Sequence, residues 1–348
     1  MRIALATIIT ACAVTVGIGT ASAAPDDPIT ASGRLPDSPV APDGSKITNV
    51  EIRDHRHLSL SVHSTAMSSD ITVDVQRPAD TSAPRPVLYL LNGSGGGEDQ
   101  ATWGTRTTTL QFLDDKNVNV VQPIGGAWSM YTDWINDDPV LGRNKWKTFL
   151  TAELPPLVDA ALGTTGANAI AGLSMAGNSV LELAISKPDL YRSVASYSGC
   201  AQTSDPLGRQ VVSEMIKIWG HADPVNMWGP ATSPLWAAND PYLHADRLRG
   251  VNMFISAGNG MPGPYDTVDS KYLTYGYATG EEAVADQILV GGLIEAGVNA
   301  CTRNFQNRLG QLEIPATFDF TANGTHSWGY WQDAFEKSWP VLAQGMGV

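Results

Sequence analysis

The sequence predicts an α/β fold, with a central, mostly parallel sheet carrying helices on both faces. Three features predict it. Through the middle of the 348-residue chain, short apolar runs alternate with longer helix-compatible runs, an order that lays parallel strands side by side with crossover helices between them. One of those runs, 86–91, is continuous rather than alternating, as expected of a strand buried on both faces, and 118–123 reads as the next buried strand. Residues 168–186 read as strand, sharp turn and helix, with Ser174 at the turn inside Gly172-Leu173-Ser174-Met175-Ala176-Gly177.

Taken in order, the chain begins with what reads as a secretory leader over 1–23. Arg2 supplies the positive start, 3–18 the apolar core, and Ala21-Ser22-Ala23 a small-residue cleavage site. The apolar core is short for a membrane span, and no later stretch reads as long and apolar enough for one. The protein is therefore expected to be exported, either secreted or held at the cell envelope. Residues 24–46, rich in Pro, Asp, Ser and Gly, are expected to form a flexible mature N-terminus. Residues 47–348 are expected to form a single domain, because no second linker and no internal repeat divides them.

Strand-like runs at 50–53, 57–63 and 71–76 suggest an antiparallel start to the sheet, the last alternating with Ile71, Val73 and Val75 on one face. The buried run 86–91 ends in Asn92-Gly93-Ser94-Gly95-Gly96-Gly97. Residues 110–113 fit a helix, 118–123 the next strand, and 128–134 an aromatic loop. Residues 146–162 have helical apolar spacing, with Pro155-Pro156 expected to strain or kink the helix. After the Ser174 turn, a helix runs to 186 and Pro188 stops it. Residues 194–197 form a strand. The Trp- and Pro-bearing segment 201–246 reads as an excursion over one end of the sheet. Strand 251–256, helix 281–298, strand 316–320 and a final helix over about 330–346 complete the pattern.

The chain has a formal charge of −13, which argues against a nucleic-acid partner. Its charged fraction is only 16% and it has ten Trp, a surface suited to sugars or lipids. Cys12 leaves with the leader. The remaining pair, Cys200 and Cys301, is expected to form one disulfide in an exported chain. Two cysteines and six scattered histidines show no zinc-site spacing, so no metal and no cofactor is expected. The glycine loop after 86–91 lacks G-K-[ST] and does not open a helix as G-x-G-x-x-G, so it is not read as a phosphate cradle.

The chemistry centres on Ser174. A serine between small residues at a strand-to-helix turn is the layout of a nucleophile elbow, G-x-S-x-G, although position 176 is Ala and Gly177 comes one place late. A Ser hydroxyl needs a base within hydrogen-bond reach, and the base needs an orienting carboxylate. In α/β-hydrolases these follow the nucleophile in the order acid, then His. His326 sits in a turn just after the last predicted strand, where the base belongs; His221 and His244 fall in the excursion. For the acid, the residues alone leave Asp266, Glu281, Glu282 and Glu295 open. The glycine loop at 93–97 is placed to give one backbone N–H of an oxyanion hole.

At this level the sequence resembles the antigen 85 mycolyltransferases and their corynebacterial relatives. The resemblance spans about 85–332. It rests on Tyr89-Leu90-Leu91-Asn92-Gly93, Tyr131-Thr132-Asp133-Trp134, Lys145-Trp146-Lys147-Thr148-Phe149-Leu150-Thr151-Ala152-Glu153-Leu154-Pro155 and Gly172-Leu173-Ser174-Met175-Ala176. It continues through Met227-Trp228-Gly229-Pro230, Asn239-Asp240-Pro241, Gly258-Asn259-Gly260 and Asn323-Gly324-Thr325-His326-Ser327-Trp328.

The resemblance implies an α/β-hydrolase with a Ser174-Glu295-His326 triad and oxyanion N–H groups from Ser94 and Met175. It implies a mycolylated trehalose donor and a sugar acceptor, trehalose monomycolate or cell-wall arabinogalactan. The family's sugar-contacting carboxylate is Asn92 here, and an Arg near the oxyanion loop is replaced by Gly95. Trp328 matches a Trp beside the family's His and is expected to line the acceptor site. Cys200–Cys301 would tie the strand beside the elbow to the helix carrying Glu295. The Trp-rich excursion, Trp228 included, is the expected acyl-chain channel. Ester hydrolysis by the same triad is the alternative activity.

Overall fold

The computed structural model describes residues 39–273 and 276–348. The expected leader, 1–23, and residues 24–38 of the expected flexible segment lie outside them. The strands are β1 (Lys46–Ile52), β2 (His57–Ser64), β3 (Ser69–Gln76), β4 (Val87–Leu91), β5 (Asn119–Ile124), β6 (Asn168–Leu173), β7 (Tyr191–Tyr197), β8 (Asn252–Ala257) and β9 (Thr317–Phe320). They form one sheet in the order β1-β2-β3-β5-β4-β6-β7-β8-β9. The pairs β1·β2, β2·β3 and β3·β5 are antiparallel, and the rest of the sheet is parallel. The sequence's fold class is borne out, including the antiparallel start.

Alternation along the central strands makes two cores. Val87, Tyr89 and Leu91 of β4 face one, and Leu88 and Leu90 face the other. The first core is closed by α1 (Leu154–Leu162) and α2 (Met175–Ser186), and it also takes Phe305 and Leu309 of α4 (Gly292–Gln311). The second is closed by Trp328, Trp331, Phe335 and Leu342 of α5 (Trp328–Met346), packed with Trp103 and Tyr197. Burying aromatic side chains of this size from water is a dominant favourable contribution to folding.

Four details differ from the sequence expectations. Order begins before residue 47. Ser45 is buried, its hydroxyl donates to Asp43 and accepts from the Thr65 N–H at 3.0 Å, and Lys46 already pairs in β1. The 146–162 helix does not break at Pro155-Pro156. A π-turn at Phe149–Glu153 leads straight into α1, and the prolines fall in α1's first turn. The Leu150 carbonyl of the turn before them accepts from the Tyr191 hydroxyl at 2.6 Å in place of a helix N–H. The helix expected over 281–298 runs as α3 (Gly280–Asp286), then a π-turn Gln287–Gly291, then α4 to Gln311.

That last run, Gly280–Gln311, also meets the length and composition of a membrane span, with mean hydropathy 1.2 over its most apolar window. This corrects the expectation that no later stretch would. Within the molecule its inner side packs on the sheet through Phe305 and Leu309, while Leu289 and Leu293 are 72% and 77% exposed.

The excursion is anchored by two buried carboxylates. Asp138 accepts from the Asp223 N–H at 3.1 Å and the Asn226 amide at 2.9 Å. Asp240 accepts from the N–H groups of Thr203 at 3.1 Å, Ser204 at 2.8 Å and Tyr242 at 2.9 Å. Burial pushes the Asp138 carboxyl up, but the Asn226 amide and the backbone donors of Leu141, Val140 and Asp223 outweigh it and hold it below the usual carboxylate range.

Candidate active site

Ser174 sits between β6 and α2 with φ 55° and ψ −122°, a region that non-glycine residues adopt only where surrounding structure holds them there. The Ser174 N–H donates to the Tyr197 carbonyl at 2.8 Å, fixing the turn to the end of β7. The displaced glycine of the elbow has its own reason. A Cβ on Gly177 would lie 2.9 Å from Gly199 Cα, and one on Gly199 would lie 2.3 Å from the Gly177 carbonyl carbon. The helix after the elbow and the segment after β7 touch backbone to backbone, so glycine is needed at 177 whether or not it is present at 176.

The structure brings Ser174, His326 and Glu295 together. His326 Nε2 lies 2.8 Å from Ser174 Oγ, and His326 Nδ1 lies 2.7 Å from Glu295 Oε2. A carboxylate only accepts, so Nδ1 carries the proton and Nε2 is free to accept from the Ser174 hydroxyl. Glu295 is 1% exposed. Its Oε1 accepts from the Ser198 hydroxyl at 2.7 Å and the Gly258 N–H at 2.6 Å, which meets the need of a buried carboxylate for donors.

The other carboxylates left open by the residues are engaged elsewhere. Asp266 accepts four hydrogen bonds and none from His326. Glu282 is exposed and accepts from the Ala278 N–H at the start of its helix, beside the exposed Glu281.

The glycine loop lies over the elbow: a Cβ on Gly93 would come within 2.8 Å of Leu173 Cδ1 and 3.8 Å of Ser174 Cβ. The Ser94 carbonyl accepts from the Trp128 N–H at 2.7 Å, which fixes the loop. Met175 is the first residue of α2, where a helix N–H has no intrahelical acceptor. Both N–H groups are thus carried by segments adjoining Ser174.

Two expected substrate contacts are not on the open surface. Asn92 is fully buried, and its Oδ1 accepts from the Trp103 N–H at 3.3 Å. As an uncharged amide at the foot of the loop, it is turned into the protein. Trp328 is buried between Trp103 and Trp331, with ring centroids 5.7 and 5.4 Å away. The ring that meets His326 is that of Trp331, edge to face at 4.9 Å. Likewise, Trp228 and Trp236 are buried against each other at 5.1 Å. The exposed excursion aromatic is Trp219, 50% accessible and stacked on Trp128 at 6.3 Å.

Sequence reasoning missed Ser198 and Trp331. Ser198 has φ 51°, donates to Glu295 and accepts from Trp331 Nε1 at 2.9 Å. A serine after a strand carries no pattern of its own. Trp331 did have a signal, since it lies three residues past Trp328 on the same helix, one turn further along the same face.

Cys200 and Cys301 form a disulfide with Cα atoms 5.4 Å apart. It joins the segment after β7, which carries Ser198, to α4, which carries Glu295. Closing a loop of 101 residues in sequence stabilises by roughly 4–5 kcal/mol in the chain-entropy model. Among the described residues, no group of three or more His, Cys, Asp or Glu side chains is gathered to hold a metal ion.

A family model described as putative esterase matches residues 64–340. Among curated relatives, the diacylglycerol acyltransferase/mycolyltransferase Ag85A of Mycobacterium leprae is 33% identical over 300 residues, covering 83% of each chain. Ag85B of Mycobacterium avium is 32% identical over 299 residues, with 83% of each covered. Among solved structures, Mycobacterium tuberculosis MPT51 (FbpC1) superposes with TM-score 0.68 at 26% identity, covering 84% of this chain and 100% of that one. The Staphylococcus aureus serine hydrolase FphF shares the fold, with TM-score 0.60 at 17% identity over 82% of this chain and 97% of its own.

Proposed function

This chain belongs to the putative-esterase family and, within it, to the antigen 85 mycolyltransferases; on that premise we propose that it moves mycolyl groups between trehalose glycolipids through an acyl-enzyme on Ser174. The observation that carries the proposal is the 2.8 Å approach of His326 Nε2 to Ser174 Oγ with Glu295 on the far side of the ring.

In the proposed reaction His326 takes the Ser174 proton as Oγ attacks the ester carbonyl of trehalose monomycolate. The N–H groups of Ser94 and Met175 stabilise the oxyanion as it develops. Glu295 holds the ring in the productive tautomer and stabilises the imidazolium that forms. The tetrahedral intermediate collapses, His326 returns its proton to the departing trehalose oxygen, and the acyl group stays on Ser174. A hydroxyl of a second trehalose monomycolate, or of cell-wall arabinogalactan, then repeats the sequence in reverse and leaves with the acyl group.

Exposed apolar side chains on both flanks support a long acyl donor. Leu289 and Leu293 lie on the run whose Gly291 carbonyl accepts the His326 N–H at 3.2 Å, and Trp219 of the excursion stacks on Trp128 of the aromatic loop. A lipid chain laid there stays out of water. The proposed setting is the outside of the cell, secreted or at the envelope, with residues 47–348 acting as one domain.

Incubation of the protein with trehalose monomycolate, with products read by mass, tests this. Trehalose dimycolate as the main product is the expected result. Free mycolic acid alone would make the chain a carboxylesterase on the same site, the outcome that the buried Asn92 and the Gly at 95 favour.

A further inference from the structure

We propose that Asp266 is a positioning residue for the Ser174 centre: its carboxylate joins the turn that carries His326 to the π-turn that leads into Glu295, and so holds those two side chains at hydrogen-bond distance. The proposal rests on the assignment of Ser174, Glu295 and His326 given above.

Asp266 lies in the loop after β8 and is 8% exposed. Its Oδ1 accepts from Gln287 Nε2 at 2.7 Å and Thr325 Oγ at 2.6 Å. Its Oδ2 accepts from the Gly263 N–H at 2.7 Å and the Tyr330 hydroxyl at 2.6 Å. A carboxylate has about four lone-pair sites, so this one is filled. The four donors come from four different segments: its own loop, the π-turn Gln287–Gly291, the turn before α5, and α5 itself.

Two of those segments carry the site. Thr325 precedes His326 directly. Gln287 opens the π-turn, and at the other end of that turn the Gly291 carbonyl accepts the His326 N–H at 3.2 Å. Glu295 follows in the first turn of α4. The path Asp266–Gln287–Gly291–His326–Thr325–Asp266 therefore closes a ring through side chains and backbone. Single π-turns recur where a helix must be re-aimed at a functional residue.

The donors are held in kind as well as in place. Burial, and then the Asp266 carboxylate itself, push the Tyr330 phenol well above its ordinary range, so it stays a donor. The Tyr330 ring packs edge to face on Tyr265 at 5.0 Å. Gln287 Nε2 also reaches the Tyr265 carbonyl at 3.2 Å, while its buried Oε1 meets no donor among the described residues. The amide orientation follows the carboxylate.

Asp266→Asn is the test, because it keeps the shape and removes acceptor capacity. Whichever way the new amide lies, two of the four donors face an NH₂ group. Thr325→Val is the second variant; it cuts only the link to the His326 turn and keeps the carboxylate. Each is compared with wild type for kcat and KM on a short-chain p-nitrophenyl ester, for melting temperature, and for the downfield proton resonance of His326 Nδ1–H in the resting protein.

The expected result is a fall in kcat of roughly 100-fold for Asp266→Asn, the scale of a misplacement near 1 Å, with KM little changed. Thr325→Val falls less, and in both variants the His326 resonance shifts or broadens. Wild-type kcat and an unmoved resonance in a folded variant would overturn the proposal. So would a loss of rate that tracks melting temperature while the resonance stays in place. If Asp266→Asn does not fold, the same readings on Thr325→Val decide. If wild type itself turns over no ester, the assignment of Ser174 fails. The resonance, read without substrate, still reports on Asp266 by itself.

Discussion

Ser174→Ala lowers kcat/KM for any ester substrate by at least about 10⁴-fold, the scale seen when a serine nucleophile is removed. It also abolishes labelling by a fluorophosphonate. Stability barely moves, because among the described residues the Ser174 hydroxyl has one partner, His326 Nε2, and the turn is held by the Ser174 N–H on the Tyr197 carbonyl instead. Residual turnover within tenfold of wild type, or fluorophosphonate labelling at another residue, would remove Ser174 from the mechanism. A protein that bound envelope glycolipids without catalysis would be indifferent to the substitution.

The next largest effect is expected at Glu295. Glu295→Gln lowers kcat by about 10³–10⁴-fold with KM little changed, as for an isosteric amide at the orienting carboxylate of a serine hydrolase. The surroundings dictate why. The Ser198 hydroxyl and the Gly258 N–H both donate to Oε1, so a glutamine must place its oxygen there. Its NH₂ then faces His326 Nδ1, which can meet it only as an acceptor. The proton moves to Nε2, the nitrogen that must accept from Ser174. Glu295→Asp keeps the charge but cannot span the same partners, and it is expected to fall between wild type and Glu295→Gln. Equal rates for Glu295→Gln and wild type, read by steady-state kinetics, would leave the carboxylate without the role proposed.

Much of this was legible in the residues because the relevant signals are local. The apolar runs at 86–91 and 118–123 mark strands whose two faces meet two cores. Small residues around Ser174 mark a turn where backbone touches backbone, and the contact between Gly177 and Gly199 explains the one departure from the pattern. His326 was identifiable from its place after the last strand. The acid was not identifiable from spacing. Asp266 stands where a carboxylate after the penultimate strand would be sought, yet its lone pairs are taken by Gln287, Thr325, Gly263 and Tyr330. The resemblance pointed instead to Glu295, nearly thirty residues further on, and three-dimensional contact gives the physical reason, since Glu295 is the one that meets His326 Nδ1.

Other features were hidden for the same reason. The inward turn of Asn92 depends on Trp103, and the burial of Trp328 depends on a partner more than two hundred residues away in sequence. The π-turns at Phe149–Glu153 and Gln287–Gly291 change hydrogen-bond register without changing composition, so apolar spacing reads through them as plain helix. The contact of Trp331 with His326 and of Ser198 with Glu295 belongs to the meeting of α5, β7 and α4, which no single segment encodes.

The most direct measurement is the mass of the Ser174 peptide after an acid quench of the protein mixed with trehalose monomycolate, followed by a chase with trehalose. An adduct of one mycolyl group on Ser174, discharged faster by trehalose than by buffer alone and recovered as glycolipid, is the expected result. Turnover of the donor with no adduct on Ser174, or an adduct that only water discharges, would contradict acyl transfer through this serine.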